Sequence, residues 1–95
     1  MSIPTTAEQE DFADPVQLPE QLLMRRLMTR GLTASEARIA LLVGDGLTNR
    51  EIGVRCGHRE NTVKVYLYRT YGKLSLANRA ELAVFVAGLV VSAGG

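Results

Sequence analysis

The chain has 95 residues and a net charge of +1, enough for one small domain with a tail. No apolar run approaches the roughly 18 residues of a membrane span, and no basic stretch followed by an apolar one suggests a secretory signal. A single cysteine, Cys56, excludes an internal disulfide and a cysteine-rich metal site. We therefore expect a cytoplasmic protein without a cofactor or metal, and a core so small that dimerisation would help its stability.

The charge is unevenly distributed along the chain. Residues 1–20 hold five carboxylates and no lysine or arginine, whereas residues 21–95 hold all 11 Lys and Arg against five carboxylates, which leaves +6. A segment of that charge attracts a polyanion, because each phosphate that it neutralises releases counterions.

The first segment, residues 1–18, is predicted to be an acidic disordered tail, because it has two prolines and few aliphatic side chains to bury. A solubilising role is the simplest interpretation, and autoinhibition is the alternative. An N-terminal helix over 20–30, within the segment 19–31, follows. Pro19 suits its first turn, Glu20 favours the positive end of its dipole, and Gly31 ends it.

Two capped helices come next, over 34–44 and 49–56. Each begins with a threonine followed three residues later by a glutamate, which is the capping-box pattern. The pairs are Thr33 with Glu36 and Thr48 with Glu51. Gly57 can adopt the left-handed conformation that terminates the second helix. Two helices joined by a short glycine-containing turn predict a helix-turn-helix.

The helix after the turn, over 60–74, has two distinct faces. Helical spacing directs one set of side chains inward: Val63, Leu67, Thr70 or Tyr71, and Leu74. The opposite face carries Asn61, Lys64, Val65, Tyr68 and Arg69. A last helix, over 79–91, is apolar nearly all round, so most of its sides must be covered.

Five blocks in this region resemble one family. They are Leu32-Thr33-x-x-Glu36, Gly46-Leu47-Thr48-Asn49-Arg50-Glu51-Ile52, Thr62-Val63-Lys64, Lys73-Leu74 and Asn78-Arg79-Ala80-Glu81. Their order and spacing are similar to the LuxR-type, or GerE-type, helix-turn-helix domain. The resemblance implies an all-α fold, a four-helix LuxR-type domain over 32–92 with an extra N-terminal helix. Only 31 residues precede the motif, so a stand-alone member is expected.

The function that the resemblance implies is sequence-specific, DNA-binding transcription regulation, with helix 60–74 in the major groove of double-stranded DNA. The base contacts implied are Lys64, Val65 and Tyr68. The phosphate contacts expected are Thr48, Asn49, Arg50, Thr62, Arg69 and Arg79. A homodimer through the C-terminal helix is expected to use Val84, Ala87, Gly88 and Val91.

The chain also departs from the family pattern at four positions. Gly53 stands where an alanine is usual, Cys56 where a leucine is usual, and Tyr66 where a histidine is usual. Arg59 replaces a serine N-cap and cannot cap, so the helix that follows is expected to start one or two residues later, at Glu60 or Asn61.

Simpler interpretations accompany several of these residues. Cys56 is expected to fill a core position and His58 to be a solvated turn residue. Tyr66 and Tyr71 favour the core over DNA contact. No nucleophile with a base and no metal-ligand cluster is evident, so we do not expect an enzyme. The alternative to DNA binding is an interaction module of the same fold that binds another regulator or RNA polymerase.

Overall fold

A computed structural model describes residues 17–94, with side chains from 20 to 91, and within that range the protein is all-α without a strand. Its helices in chain order are α1 (Gln17–Thr29), α2 (Ala34–Gly44), α3 (Asn49–Cys56), α4 (Glu60–Leu74) and α5 (Arg79–Gly94). The predicted fold class is confirmed.

The bounds of α2, α3 and α4 agree with the sequence prediction, whereas the outer helices are longer than predicted. The N-terminal helix begins at Gln17, so residues 17 and 18 of the predicted tail are helical, and α5 extends to Gly94. The rest of the tail, residues 1–16, lies outside the described residues.

Both predicted capping boxes form. Thr33 Oγ1 accepts from the amide of Glu36 at 3.1 Å, and a Glu36 carboxylate oxygen accepts from the amide of Thr33 at 2.8 Å. Thr48 and Glu51 repeat the same pair of bonds at the same distances. Each box satisfies two amides that the first turn of a helix leaves without a partner. These local bonds fix where α2 and α3 begin.

The turn between α3 and α4 also has its predicted glycine geometry. Gly57 has φ 74°, in the left-handed region, and its amide donates to the carbonyl of Gly53. Arg59 takes the N-cap position of α4 with extended φ and ψ and makes no side-chain capping bond, as predicted, and the helix begins at Glu60.

The core is organised around α2, which contacts all four other helices. Its buried side chains are Glu36, Ala37, Ile39, Ala40, Leu41 and Val43. Ile52 from α3 and Val63 from α4 are fully buried in the same cluster, as predicted for the centre of the motif. The pair α3 and α4 is thereby held on one side of α2.

Among the described residues, contacts cover the C-terminal helix on one side only. Leu82 and Val86 are buried, and Val86 packs so closely on α2 that a Cβ built on Gly44 would lie 2.6 Å from its Cγ1. The N-terminal helix contributes Leu23 and Leu27 to the core and also contacts α5. Between these helices, the guanidinium carbon of Arg30 lies 5.0 Å from the ring centroid of Phe85.

No single helix among the described residues is long and apolar enough to cross a membrane. Helix α4 and residues 79–91 together have the length and composition of a membrane span, but the chain bends by 64° between them.

Candidate nucleic-acid interface

The fourth helix divides into a buried face and an exposed face, as its periodicity predicts. Val63, Leu67 and Thr70 are buried, and the Thr70 hydroxyl donates to the Tyr66 carbonyl at 2.9 Å. On the opposite side Asn61, Lys64, Val65, Tyr68 and Arg69 are all exposed. Tyr68 is 78% exposed and Val65 is 49% exposed. A positively charged helix face that keeps large apolar groups in solvent has the chemistry that base edges and thymine methyls require.

The residues at the start of α3 present hydrogen-bond donors. Within the part of the chain that the structure describes, the amides of Asn49 and Arg50 have no acceptor, because the capping box satisfies the amides of Thr48 and Glu51. Free amides at the positive end of a helix favour an anion. The exposed Arg50 adds a full charge to the same turn.

Asn49 and Arg79, both expected as phosphate contacts, lie in contact with each other. The guanidinium of Arg79 donates to Asn49 Oδ1 and to the carbonyl oxygen of Leu47. Arg79 therefore joins the start of α5 to the start of α3. Because Asn49 Oδ1 is the acceptor in this bond, the side-chain amide nitrogen of Asn49 remains available as a donor to a phosphate.

The remaining expected phosphate contacts differ in exposure. Arg69 is exposed on α4 one turn after Val65, whereas Thr62 is half-buried in the first turn of the same helix. Thr48 is exposed, and its hydroxyl oxygen already accepts the capping bond. Its hydroxyl proton can still be donated to an anion.

The turn between α3 and α4 corrects one prediction. His58 was expected to be solvated, but it is half-buried and its ring centroid lies 5.2 Å from that of Tyr66. Gly53, at a position where the family usually has alanine, allows this close packing, because a Cβ built there would lie 2.5 Å from the His58 carbonyl oxygen. The amide of His58 also donates to the Gly53 carbonyl at 2.9 Å.

Three residues were interpreted as core rather than contact residues. Cys56, Tyr66 and Tyr71 are partly buried against the hydrophobic cluster, which confirms that interpretation. Burial raises the pKa of Tyr71, and the nearby charge of Arg79 lowers it by less, so the phenol stays neutral at physiological pH.

The long-range contacts that join the helices were missed by sequence reasoning, as two examples show. One is the bond from Arg79 to Asn49, and the other is an ion pair at 2.8 Å between Lys73 on α4 and Glu36 on α2. The pairs are 30 and 37 residues apart, and neither has a periodic or capping signal of its own. Both contacts become visible only once the helices are packed.

Together, the capped helix pair, the exposed face of α4 and the donors at the start of α3 define a DNA-binding helix-turn-helix. Residues 30–86 match the family described as bacterial regulatory proteins, luxR family. The chain belongs to this family, whose members are transcription regulators.

Individual relatives are similar over the same region. The DNA-binding transcriptional activator DevR/DosR of Mycobacterium tuberculosis is 41% identical over 59 residues, covering 62% of this chain and 27% of the relative. The probable transcriptional regulatory protein SgaR of Hyphomicrobium methylovorum is 43% identical over 49 residues, covering 52% and 23%. The two-component response regulator PprB of Pseudomonas aeruginosa is 33% identical over 63 residues, covering 66% and 23%. The chain thus spans about a quarter of the length of these relatives. No solved structure matches it.

Proposed function

We propose that this protein is a cytoplasmic transcription regulator that binds a specific double-stranded DNA site with α4 in the major groove. The observation that carries the proposal is the exposed face of α4, where Val65 and Tyr68 stand in solvent beside Lys64. The buried residues of α4, Val63, Leu67 and Thr70, pack in the core without these three side chains, which are therefore free to contact a partner.

Each of the three residues suits a different feature of a base edge. The Lys64 ammonium can donate to guanine O6 or N7, and the Val65 methyls can contact a thymine methyl. The Tyr68 phenol offers both an apolar ring and a hydroxyl that can donate or accept. These contacts would give sequence specificity, because phosphate contacts alone carry none.

The phosphates would be bound on both sides of this face. Asn49 and Arg50, at the start of α3, carry the two free backbone amides of that turn. Arg69 and Thr62 lie on α4 itself. Arg79 would act partly through Asn49, by orienting the side-chain amide nitrogen of Asn49 toward the phosphates of the DNA.

A homodimer through α5 fits the surface of this helix. Val84 is 72% exposed and Val91 is 74% exposed, and Ala87 and Gly88 are exposed on the same stripe. Beside them is an almost wholly apolar groove of about 420 Å³, lined by Leu76, Ala80, Glu81, Val84 and Phe85. A twofold axis here would favour a palindromic site, with two recognition helices one DNA turn apart, roughly 34–36 Å.

The test is a selection of bound duplexes from a random pool, followed by titration of the selected duplex at several salt concentrations. We expect one enriched sequence and an affinity that falls linearly in log–log form with salt. The alternative is an interaction module that binds another regulator or RNA polymerase. Such a module predicts no enrichment and no salt-dependent duplex binding, and that result would rule out the DNA proposal.

A further inference from the structure

A small cavity of about 180 Å³ lies where α2, α3 and the turn before α4 meet. Its lining residues are Ser35, Arg38, Ile39, Arg55, Cys56 and His58. One water needs roughly 10–15 Å³ of such space, so the cavity also accommodates a tetrahedral oxyanion. We propose that this cavity binds the phosphate group of a small phosphorylated molecule or free inorganic phosphate.

The charge of the lining supports an anion. Arg38 comes from α2 and Arg55 from α3, and no carboxylate of the described residues lines the cavity. Among the residues whose side chains the structure describes, neither arginine has an ion-pair or hydrogen-bond partner. Two guanidinium groups can each offer paired donors to phosphate oxygens, a geometry that favours phosphate over a spherical anion.

The first turn of α2 adds further donors. Ser35 is its second residue and lines the cavity. The capping box satisfies the amides of Thr33 and Glu36, and the amides of Ala34 and Ser35 have no acceptor among the described residues. The positive end of the α2 dipole therefore lies beside the cavity that the two arginines line.

The turn that carries His58 forms the third side of the cavity, and its own contacts hold it in place. The His58 carbonyl presses on Gly53 so closely that no Cβ would fit, and the His58 ring rests on Tyr66. This arrangement depends on glycine at position 53. A wall held by backbone and ring packing is already ordered before an anion arrives, so ordering it costs little on binding.

The cavity lies away from the face of α4 that is proposed to read bases. Tyr66 is two residues from both Lys64 and Tyr68, and at 100° per residue it is directed about 160° away from each of them. His58 packs on Tyr66, so the cavity is on the far side of α4 from the recognition face. One lining residue, Arg55, also borders the surface groove that carries Arg50 and Thr48, so competition with DNA has to be measured.

The experiment is a titration of the ¹⁵N-labelled full chain with sodium phosphate, at constant ionic strength maintained with sodium chloride, followed by amide chemical shifts. We expect saturable shifts at Ser35, Arg38 and His58. The double variant Arg38→Gln/Arg55→Gln should weaken phosphate binding at least roughly tenfold, since two charge-assisted contacts are lost. Arg25→Gln removes an exposed charge that does not line the cavity and should bind phosphate as wild type does.

The outcomes separate the possible sources of phosphate. Saturable shifts that persist when a duplex of random sequence is bound support a site for a free or small-molecule phosphate. Shifts that the duplex abolishes would assign these arginines to the DNA backbone and overturn the proposal. Equal weakening in Arg25→Gln and the double variant would also overturn it, because it would indicate general charge screening. Phosphate binding is measured without DNA, so a failure of DNA binding leaves this test intact.

Discussion

The Lys73 ammonium donates to Glu36 Oε1 at 2.8 Å, and this bond ties the last turn of α4 to the first turn of α2. The same oxygen accepts from the Thr33 amide, so one carboxylate caps α2 and anchors the recognition helix. Glu36 is only 2% exposed, whereas Lys73 is 38% exposed. The orientation of α4, and with it the recognition face, therefore depends on a buried acid far from that face.

Glu36→Gln should destabilise the fold by roughly 1–3 kcal/mol, because a buried charge-assisted bond is lost and the Lys73 ammonium loses its counter-charge. Glu51→Gln is the matched control. Glu51 has the same capping role, but it is exposed and has no lysine partner among the described residues. A glutamine still accepts from the Thr48 amide, so the variant loses only a negative charge near the helix N-terminus and should cost about 0.3–1 kcal/mol. Urea denaturation of both variants measures the difference, and equal losses would show that the Lys73 bond contributes nothing.

The same carboxylate predicts a pH dependence. Burial by itself would raise the pKa of Glu36, but the bonds from Lys73 and Thr33 and the charge of Lys73 outweigh it and lower the pKa below 4.5. A carboxyl whose folded pKa is depressed stabilises the protein above its unfolded pKa, and this stability is lost as pH falls through the folded value. The stability difference between wild type and Glu36→Gln should therefore shrink below pH 4.5. A difference that stays constant from pH 6 to pH 3, approximate limits of the titration, would contradict the depressed pKa.

Gly53→Ala tests the close contact in the turn. Alanine is the better helix former by roughly 1 kcal/mol, but its Cβ would meet the His58 carbonyl at 2.5 Å. Because the backbone at His58 must move, we expect the free energy of unfolding to fall by about 1–3 kcal/mol. Gly72→Ala, where no described residue lies within 4 Å of the added Cβ, should instead stabilise the fold by roughly 0.5–1 kcal/mol. Thermal unfolding of both variants measures whether each change raises or lowers stability. A stabilising Gly53→Ala would mean that the turn relaxes freely.

The sequence was sufficient for features whose cause is local. Thr33 with Glu36, and Thr48 with Glu51, predicted where α2 and α3 start, and the apolar spacing of α4 predicted which side chains face out. The first residue of α1 was misplaced because Pro19 suits a first turn but does not forbid two more residues before it. Contacts such as Arg79 with Asn49 depend on the packing of helices 30 residues apart, which no local pattern encodes.

The recognition face predicts two classes of effect on DNA binding. Lys64→Ala and Tyr68→Ala should each weaken binding to the selected site by roughly 1–3 kcal/mol and relax its base preference. Arg50→Ala should weaken binding to all duplexes about equally and reduce the salt slope by about one. Fluorescence anisotropy with the selected and a scrambled duplex separates them. An unchanged preference in Lys64→Ala would mean that bases are read elsewhere.

The dimer proposal makes the last prediction. Ala87 is exposed at the middle of the stripe formed with Val84, Gly88 and Val91. A glutamate there would bury an unpaired charge in a dimer but cost little in a monomer, where it stays in solvent. Sedimentation with a palindromic duplex should find two wild-type chains per site and one Ala87→Glu chain, with weaker binding for the variant. Ala34→Glu, at an exposed position in the first turn of α2 where a carboxylate suits the helix dipole, is the control and should assemble as wild type does. If the wild type stays monomeric on a palindrome, or Ala87→Glu binds as tightly, α5 is not the dimer interface.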